Sequence, residues 1–184
     1  LEWYSKIVGA TPQSLDRELG ETLKAPGSVT FLPYLSGERT PYNDAKIRGS
    51  FCGLEHEADR SALTQAVLEG VAFAIRDNRL ALQSAGTEIT SLTAVGGGSR
   101  STYWLKAIAT ALNVPIALPE EGDFGAAFGA ARLGLIAATG ADPFTICTPP
   151  QTARTIEPEQ ALLSAYDEAY QRYHALYPAL HALD

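Results

Sequence analysis

Methionine is absent from the 184 residues, and the chain starts on Leu1-Glu2-Trp3-Tyr4. Such a start reads as the interior of a longer polypeptide, the alternative being that flanking residues have been trimmed away. Cysteine is scarce: Cys52 and Cys147 lie far apart without CxxC or Cys/His ligand spacing. That argues against a disulfide framework and a zinc site, and fits a reducing cytoplasm. Basic residues are in deficit, with 14 Lys and Arg against 21 Asp and Glu for a net charge of -7. This balance argues against a nucleic-acid partner, and any bound anion would need a local site. No apolar run reaches the roughly 20 residues that span a bilayer, and the start has no signal-peptide pattern, so neither membrane insertion nor secretion is expected.

What remains is an ordinary globular composition, 46% hydrophobic and 19% charged, with length for one well-buried core. Val29 to Leu35 is short, β-branched and aromatic between Pro26-Gly27 and Ser36-Gly37, which predicts a buried strand. Ser36 to Gly49 reads as a loop, dense in Gly, Pro, Asn and Asp. Leu63, Val67, Val71, Ala74 and Ile75 recur at helical spacing behind Asp59 and before Gly86, predicting a long helix over 58–84. Thr90 to Val95 is strand-like and runs into Gly96-Gly97-Gly98-Ser99, after which Trp104, Leu105, Ile108, Ala111 and Leu112 mark a second helix. Val114 to Leu118 predicts a third strand, and 124–138 a helix of small residues. Residues 141–157 read as an irregular connector and 158–177 as a terminal helix. Alternating strands and helices predict an α/β fold in one domain over 1–184.

Three glycines between a strand and a helix let the backbone approach a ligand closely, and the amides at the helix start suit negative charge. A tight strand-to-helix turn explains the triplet equally well. It is neither the P-loop GxxxxGK[ST] nor the dinucleotide fingerprint GxGxxG.

The surrounding sequence is more specific. AVGGGSRSTYWLKAIATALNVPIALPE, residues 94–120, closely resembles the adenosine motif of the FGGY carbohydrate kinases. RGSFCGLEHEADRSALTQAVLEGVAFAIRDN, residues 48–78, is similar to the second signature of that family, and Gly125-Ala126-Ala127-Phe128-Gly129-Ala130-Ala131 resembles its alanine-rich helix. The Leu35 to Pro41 loop and the tail from Tyr170 to Leu180 look most like the xylulokinase branch.

The resemblance implies an actin-like, ribonuclease-H-like fold, of which this chain is the C-terminal nucleotide-binding domain. It implies ATP with Mg2+ as phosphoryl donor and D-xylulose, a ketopentose, as acceptor. Ribulose, gluconate or glycerol kinases of the family are the rivals, together with a nucleotide-binding module without catalysis. It further implies that Gly97 and Gly98 lie against the adenosine or α-phosphate region. Ser101, with Thr102 beside it, would hydrogen-bond near the adenine, and Trp3 would pack on the base. On this reading a valine at Gly98 weakens nucleotide binding and spares the fold. Glu2 stands where glycerol kinases carry Gln, and its role stays open.

The sugar pocket, a phosphate-binding hairpin and the catalytic Asp are implied to lie in an N-terminal domain ahead of Leu1. No catalytic residue and no metal ligand is therefore expected here, the chain alone is expected to be inactive, and a homodimer stays open. Glu69, set among apolar residues of the long helix, reads as an interdomain or capping contact rather than an acid or base. His56, His174 and His181 share no motif spacing. Arg39 reads as the partner of a local carboxylate such as Glu38 or Asp44. Tyr166, Tyr170, Tyr173 and Tyr177 recur at spacings of four, three and four, a packing stripe.

Overall fold

The computed structural model describes residues 1–120 and 125–183. Two short helices open the chain, α1 (Glu2–Ile7) and α2 (Pro12–Leu19), which the sequence reading did not anticipate. The start of α2 has a clear local cause. The Thr11 side chain accepts from the Ser14 amide at 3.1 Å, and the Ser14 hydroxyl accepts from the Thr11 amide at 3.1 Å. This reciprocal cap satisfies two amides that a helix start otherwise leaves unpaired, and Pro12 occupies the position that needs no N–H.

The first strand, β1 (Thr30–Leu32), is shorter than the predicted 29–35 and pairs antiparallel with β2 (Ser50–Cys52), Phe31 opposite Phe51. Pro33 has no amide to extend the ladder, and its carbonyl instead accepts from Leu35 at 2.9 Å, turning the chain. The long helix is α3 (Arg60–Ser84), begun by Asp59, whose side chain accepts from the Ala62 amide at 2.8 Å. It crosses β1 so closely that a Cβ on Gly70 would stand 2.1 Å from the Phe31 carbonyl oxygen.

The second sheet has the order β3-β4-β5. β3 (Leu92–Thr93) and β4 (Ile116–Pro119) are parallel, joined through the glycine turn and α4 (Thr102–Leu112), so this unit is the expected strand–turn–helix–strand. Asn113, at φ 49°, ends α4 in the left-handed conformation that Asn tolerates. Arg79 of α3 donates to the Leu112 carbonyl there, fixing the far end of α4 against α3.

The predicted connector 141–157 holds two elements, α6 (Pro143–Ile146) and β5 (Thr152–Ile156), the latter antiparallel to β4. Four of the five β5 residues are exposed and Ile156 alone is buried, so the strand leaves no run of apolar residues to announce it. Before it comes α5 (Ala126–Thr139). Phe124, the expected start of that helix, and Asp123, read as part of a turn, lie outside the described residues.

The terminal helix α7 (Leu163–His181) begins later than predicted and runs past Pro178 rather than stopping at Tyr177. Its tyrosines form the expected packing stripe: Tyr166, Tyr170 and Tyr173 are buried around Phe73 of α3. The Tyr34 and Tyr173 hydroxyls meet at 2.9 Å, binding β1's exit to α7. The main core lies between α3, α4, α7 and the second sheet, and α4 is its most buried helix. Its N-terminus is thus set on a rigid support.

Candidate functional site

The turn before α4 is a 3-10 segment, Gly97–Arg100, entered through Gly96 at φ 79°. Ser99 closes it, its amide and its hydroxyl donating to the Gly96 carbonyl at 3.1 and 2.6 Å. The glycines divide the work. Gly96 supplies the positive φ that a residue with a Cβ resists. A Cβ on Gly97 would meet nothing within 4 Å, so its face is open to an incoming group. A Cβ on Gly98 would lie 2.5 Å from Cζ3 of Trp104, which packs over it. The indole cannot simply swing aside, because Nε1 donates to the Leu68 carbonyl of α3 at 3.1 Å. A valine at Gly98 would therefore press on the indole, which weighs against the expectation that it spares the fold. Both glycines are exposed, but a side chain at Gly98 would meet the indole whereas one at Gly97 would meet open space.

Ser101 is the N-cap of α4, its Oγ accepting from the Trp104 amide at 3.0 Å. The same hydroxyl donates to Oδ1 of Asp16, a half-buried residue of α2. This tie was invisible in the sequence, where the two residues are 85 positions apart. Thr102, next along, accepts at Oγ1 from Nη2 of Arg154 on β5 at 3.2 Å. One helix start thus receives a carboxylate from α2 and a guanidinium from β5. Gly97, Gly98, Ser101 and Thr102 are brought together by chain continuity and by these ties.

Trp3 is held elsewhere. It stacks on Phe31 of β1, ring centroids 5.9 Å apart and planes at 14°, and is 41% exposed. An exposed, pre-oriented indole face suits a planar ligand, yet the contact that orients it comes from β1 and not from the turn.

Other singled-out residues have structural partners. Glu69 is buried on α3, where Gln65 Nε2 reaches its Oε1 at 2.7 Å and the Gly27 amide also donates to it. Desolvation pushes its carboxyl up to about 7, against the lowering effect of those bonds. Glu69 holds the 25–28 loop, together with Gln65, which donates to the Ala25 carbonyl, and Arg172, which donates to that of Gly27. Asp77 is buried, accepts from the Tyr170 hydroxyl at 2.5 Å and faces His174 at 3.4 Å; burial raises its carboxyl. His181 meets Asp44 at 3.0 Å. Neither Glu38 nor Asp44 is a simple partner for Arg39. Glu38 accepts the Thr40 and Tyr42 amides, and Asp44 those of Lys46 and Ile47. The Lys46 amide is the main reason that the Asp44 carboxyl sits below its ordinary range. Among the described residues no group of three or more His, Cys, Asp or Glu could hold a metal ion.

Comparison with known proteins gives this geometry a lineage. The family model for the C-terminal domain of the FGGY family of carbohydrate kinases matches residues 5–138. The xylulose kinase of Escherichia coli K12 is 35% identical over 179 residues, 97% of this chain and 35% of that protein. The crystal structure of a xyloylose kinase from Brucella ovis is 99% identical, with a TM-score of 0.94 over all of this chain and 38% of that one. A ligand-bound xylulose kinase from Lactobacillus acidophilus superposes with a TM-score of 0.79 at 30% identity, over 98% of this chain and 37% of that one. The chain thus spans little more than a third of the length of these relatives. Its α/β architecture is that of the actin-like sugar kinases. The match of family model, sequence and structure shows that the chain belongs to the FGGY family of carbohydrate kinases as its C-terminal domain.

Proposed function

We propose that this chain is the ATP-binding domain of a cytoplasmic xylulokinase, which transfers the γ-phosphoryl group of Mg-ATP to D-xylulose and releases D-xylulose 5-phosphate and ADP. The observation that carries the reading is the turn itself. Gly97 offers uncovered backbone at the start of the 3-10 turn that leads into α4, a helix whose far end is anchored in the core. Oriented amides and the helix dipole favour an anion near the start of α4, where Arg154 adds positive charge and Asp16 negative. Ser101 and Thr102 beside the turn would present hydroxyls to the nucleoside, and Trp3, held on β1 by Phe31, would offer a ring face to the base.

Phosphoryl transfer draws mainly on positioning and charge stabilisation, so a rigid nucleotide shelf is a fitting contribution from one of two domains. The acceptor hydroxyl loses its proton to a carboxylate as its oxygen attacks phosphorus and the bond to the β-phosphate oxygen breaks. Among the described residues, Asp77 is buried behind Tyr170 and Asp44 is engaged by backbone amides, so neither is placed to act as that base. The described carboxylates do not form a divalent-ion site, so Mg2+ would arrive on the nucleotide phosphates, and no step is assigned to it through residues here.

The partner domain has a candidate docking face. No residue of α5 is buried, although the helix is almost wholly apolar, and Leu133 and Leu135 are 66% and 48% exposed. An apolar helix left bare calls for cover, which the N-terminal domain would provide. None of the helices among the described residues is long and apolar enough to cross a membrane.

The acceptor assignment rests on the likeness to xylulose kinases, and a gluconate kinase from Lactobacillus acidophilus is also similar, 31% identical with a TM-score of 0.74. A coupled assay on the full-length protein should give the highest kcat/KM with D-xylulose. A clear excess for ribulose, gluconate or glycerol would reject xylulose as the substrate.

A further inference from the structure

A serine hydroxyl has one proton to give and two lone pairs with which to accept. At Ser101 the proton goes to the Asp16 carboxylate, and one lone pair takes the Trp104 amide at 3.0 Å. The direction of the first bond follows from chemistry, since an ionised carboxylate only accepts. What Ser101 has left is a single lone pair. Towards any further group it is an acceptor and nothing else. Thr102 is its complement: Oγ1 accepts from Arg154 at 3.2 Å, and its own proton stays free to be donated.

We propose that Asp16 is a positioning residue that sets base choice in the nucleotide site. By fixing the Ser101 hydroxyl as an acceptor, it favours a purine with an amino group at C6 over one with a carbonyl there. The proposal rests on the reading above, in which Ser101 lies beside the base. Adenine's 6-amino group donates, whereas the 6-carbonyl of hypoxanthine or guanine accepts and would set two acceptors face to face without a proton between them. Sites built around one hydrogen-bond polarity reject the wrong group far more strongly than apolar pockets do, because a buried polar atom is left unpaired. The discriminating element is therefore a residue of α2 that need not touch the ligand. Without Asp16 the hydroxyl is free to rotate and give its proton to a carbonyl, so discrimination relaxes while the turn itself persists.

The test is calorimetric titration of the full-length kinase with ADP and with inosine diphosphate, which differ at C6 and in the N1 proton. Asp16→Ala should reduce the ADP preference about tenfold, mostly by improving inosine diphosphate binding. Ser101→Ala should reduce it by the opposite route, weakening ADP and leaving inosine diphosphate nearly unchanged, which gives a second reading if Asp16→Ala folds poorly. Gly97→Val serves as the control for location and should weaken both nucleotides. If Gly97→Val weakens both while Asp16→Ala shifts them by one common factor or not at all, the nucleotide site stands and the role of Asp16 is overturned. If Gly97→Val changes neither, the nucleotide does not bind at this turn and both readings fall.

Discussion

The indole of Trp104 occupies the space that a side chain on Gly98 would need, 2.5 Å from the ideal Cβ position. Because that indole is bonded to the Leu68 carbonyl, Gly98→Val should overpack the joint between α3 and α4 and cost about 1–3 kcal/mol. Thermal unfolding of the full-length variant should show a clearly lowered midpoint. An unchanged midpoint would mean that the indole gives way more easily than its bond to α3 implies.

A second close approach lies at Gly70, where a Cβ would stand 2.1 Å from the Phe31 carbonyl oxygen. Alanine is ordinarily the better helix former by about 1 kcal/mol. Here Gly70→Ala should nevertheless destabilise, because rigid backbone cannot retreat without parting α3 from β1. A variant as stable as the parent would show that this crossing has slack.

How far the sequence foretold all this depended on whether a signal was local. Asp59 and Gly86 bracket α3, and alternating strands and helices announced the layering, since caps and periodicity are written in neighbouring residues. The strand β5 was missed because Thr152, Ala153, Arg154 and Thr155 are all exposed, leaving no apolar alternation to read. α7 runs past Pro178 to His181, beyond the end at Tyr177 expected from the sequence. At the site the glycines were legible and their division of labour was not. That Gly98 is crowded and Gly97 open depends on Trp104's indole and on Leu68, and the Asp16–Ser101 bond joins residues 85 positions apart.

Glu69 makes a pH prediction with a definite sign. Its carboxyl is raised from 4.5 to about 7 by burial, so the folded protein holds a proton there that the unfolded chain has released. Its contribution favours folding below pH 4.5 and is lost as pH rises from 4.5 to about 7, by up to about 3 kcal/mol. Glu69→Gln should remove this dependence and melt higher than the parent at pH 8 relative to pH 5. A variant that parallels the parent across that range would show that Glu69 does not titrate there.

The isolated 184-residue chain should have no measurable sugar kinase activity. A missing base costs roughly 10²- to 10⁴-fold, and loss of the wall that orients the acceptor costs more. With α5 bare, the chain should also tend to self-associate. Robust turnover of any sugar with Mg-ATP by host-kinase-free protein would require a catalytic base among these residues.

The central claim is that the nucleotide lies against the open face of Gly97, and calorimetric titration with ADP of the full-length kinase and its Gly97→Val variant tests it most directly. Nothing stands within 4 Å of a Cβ at that position, so the substitution has room in the folded protein and should leave the melting midpoint unchanged. The account predicts an ADP affinity at least about tenfold weaker, a loss of roughly 1.4 kcal/mol or more. An equally stable variant that binds ADP as tightly as the parent would contradict it.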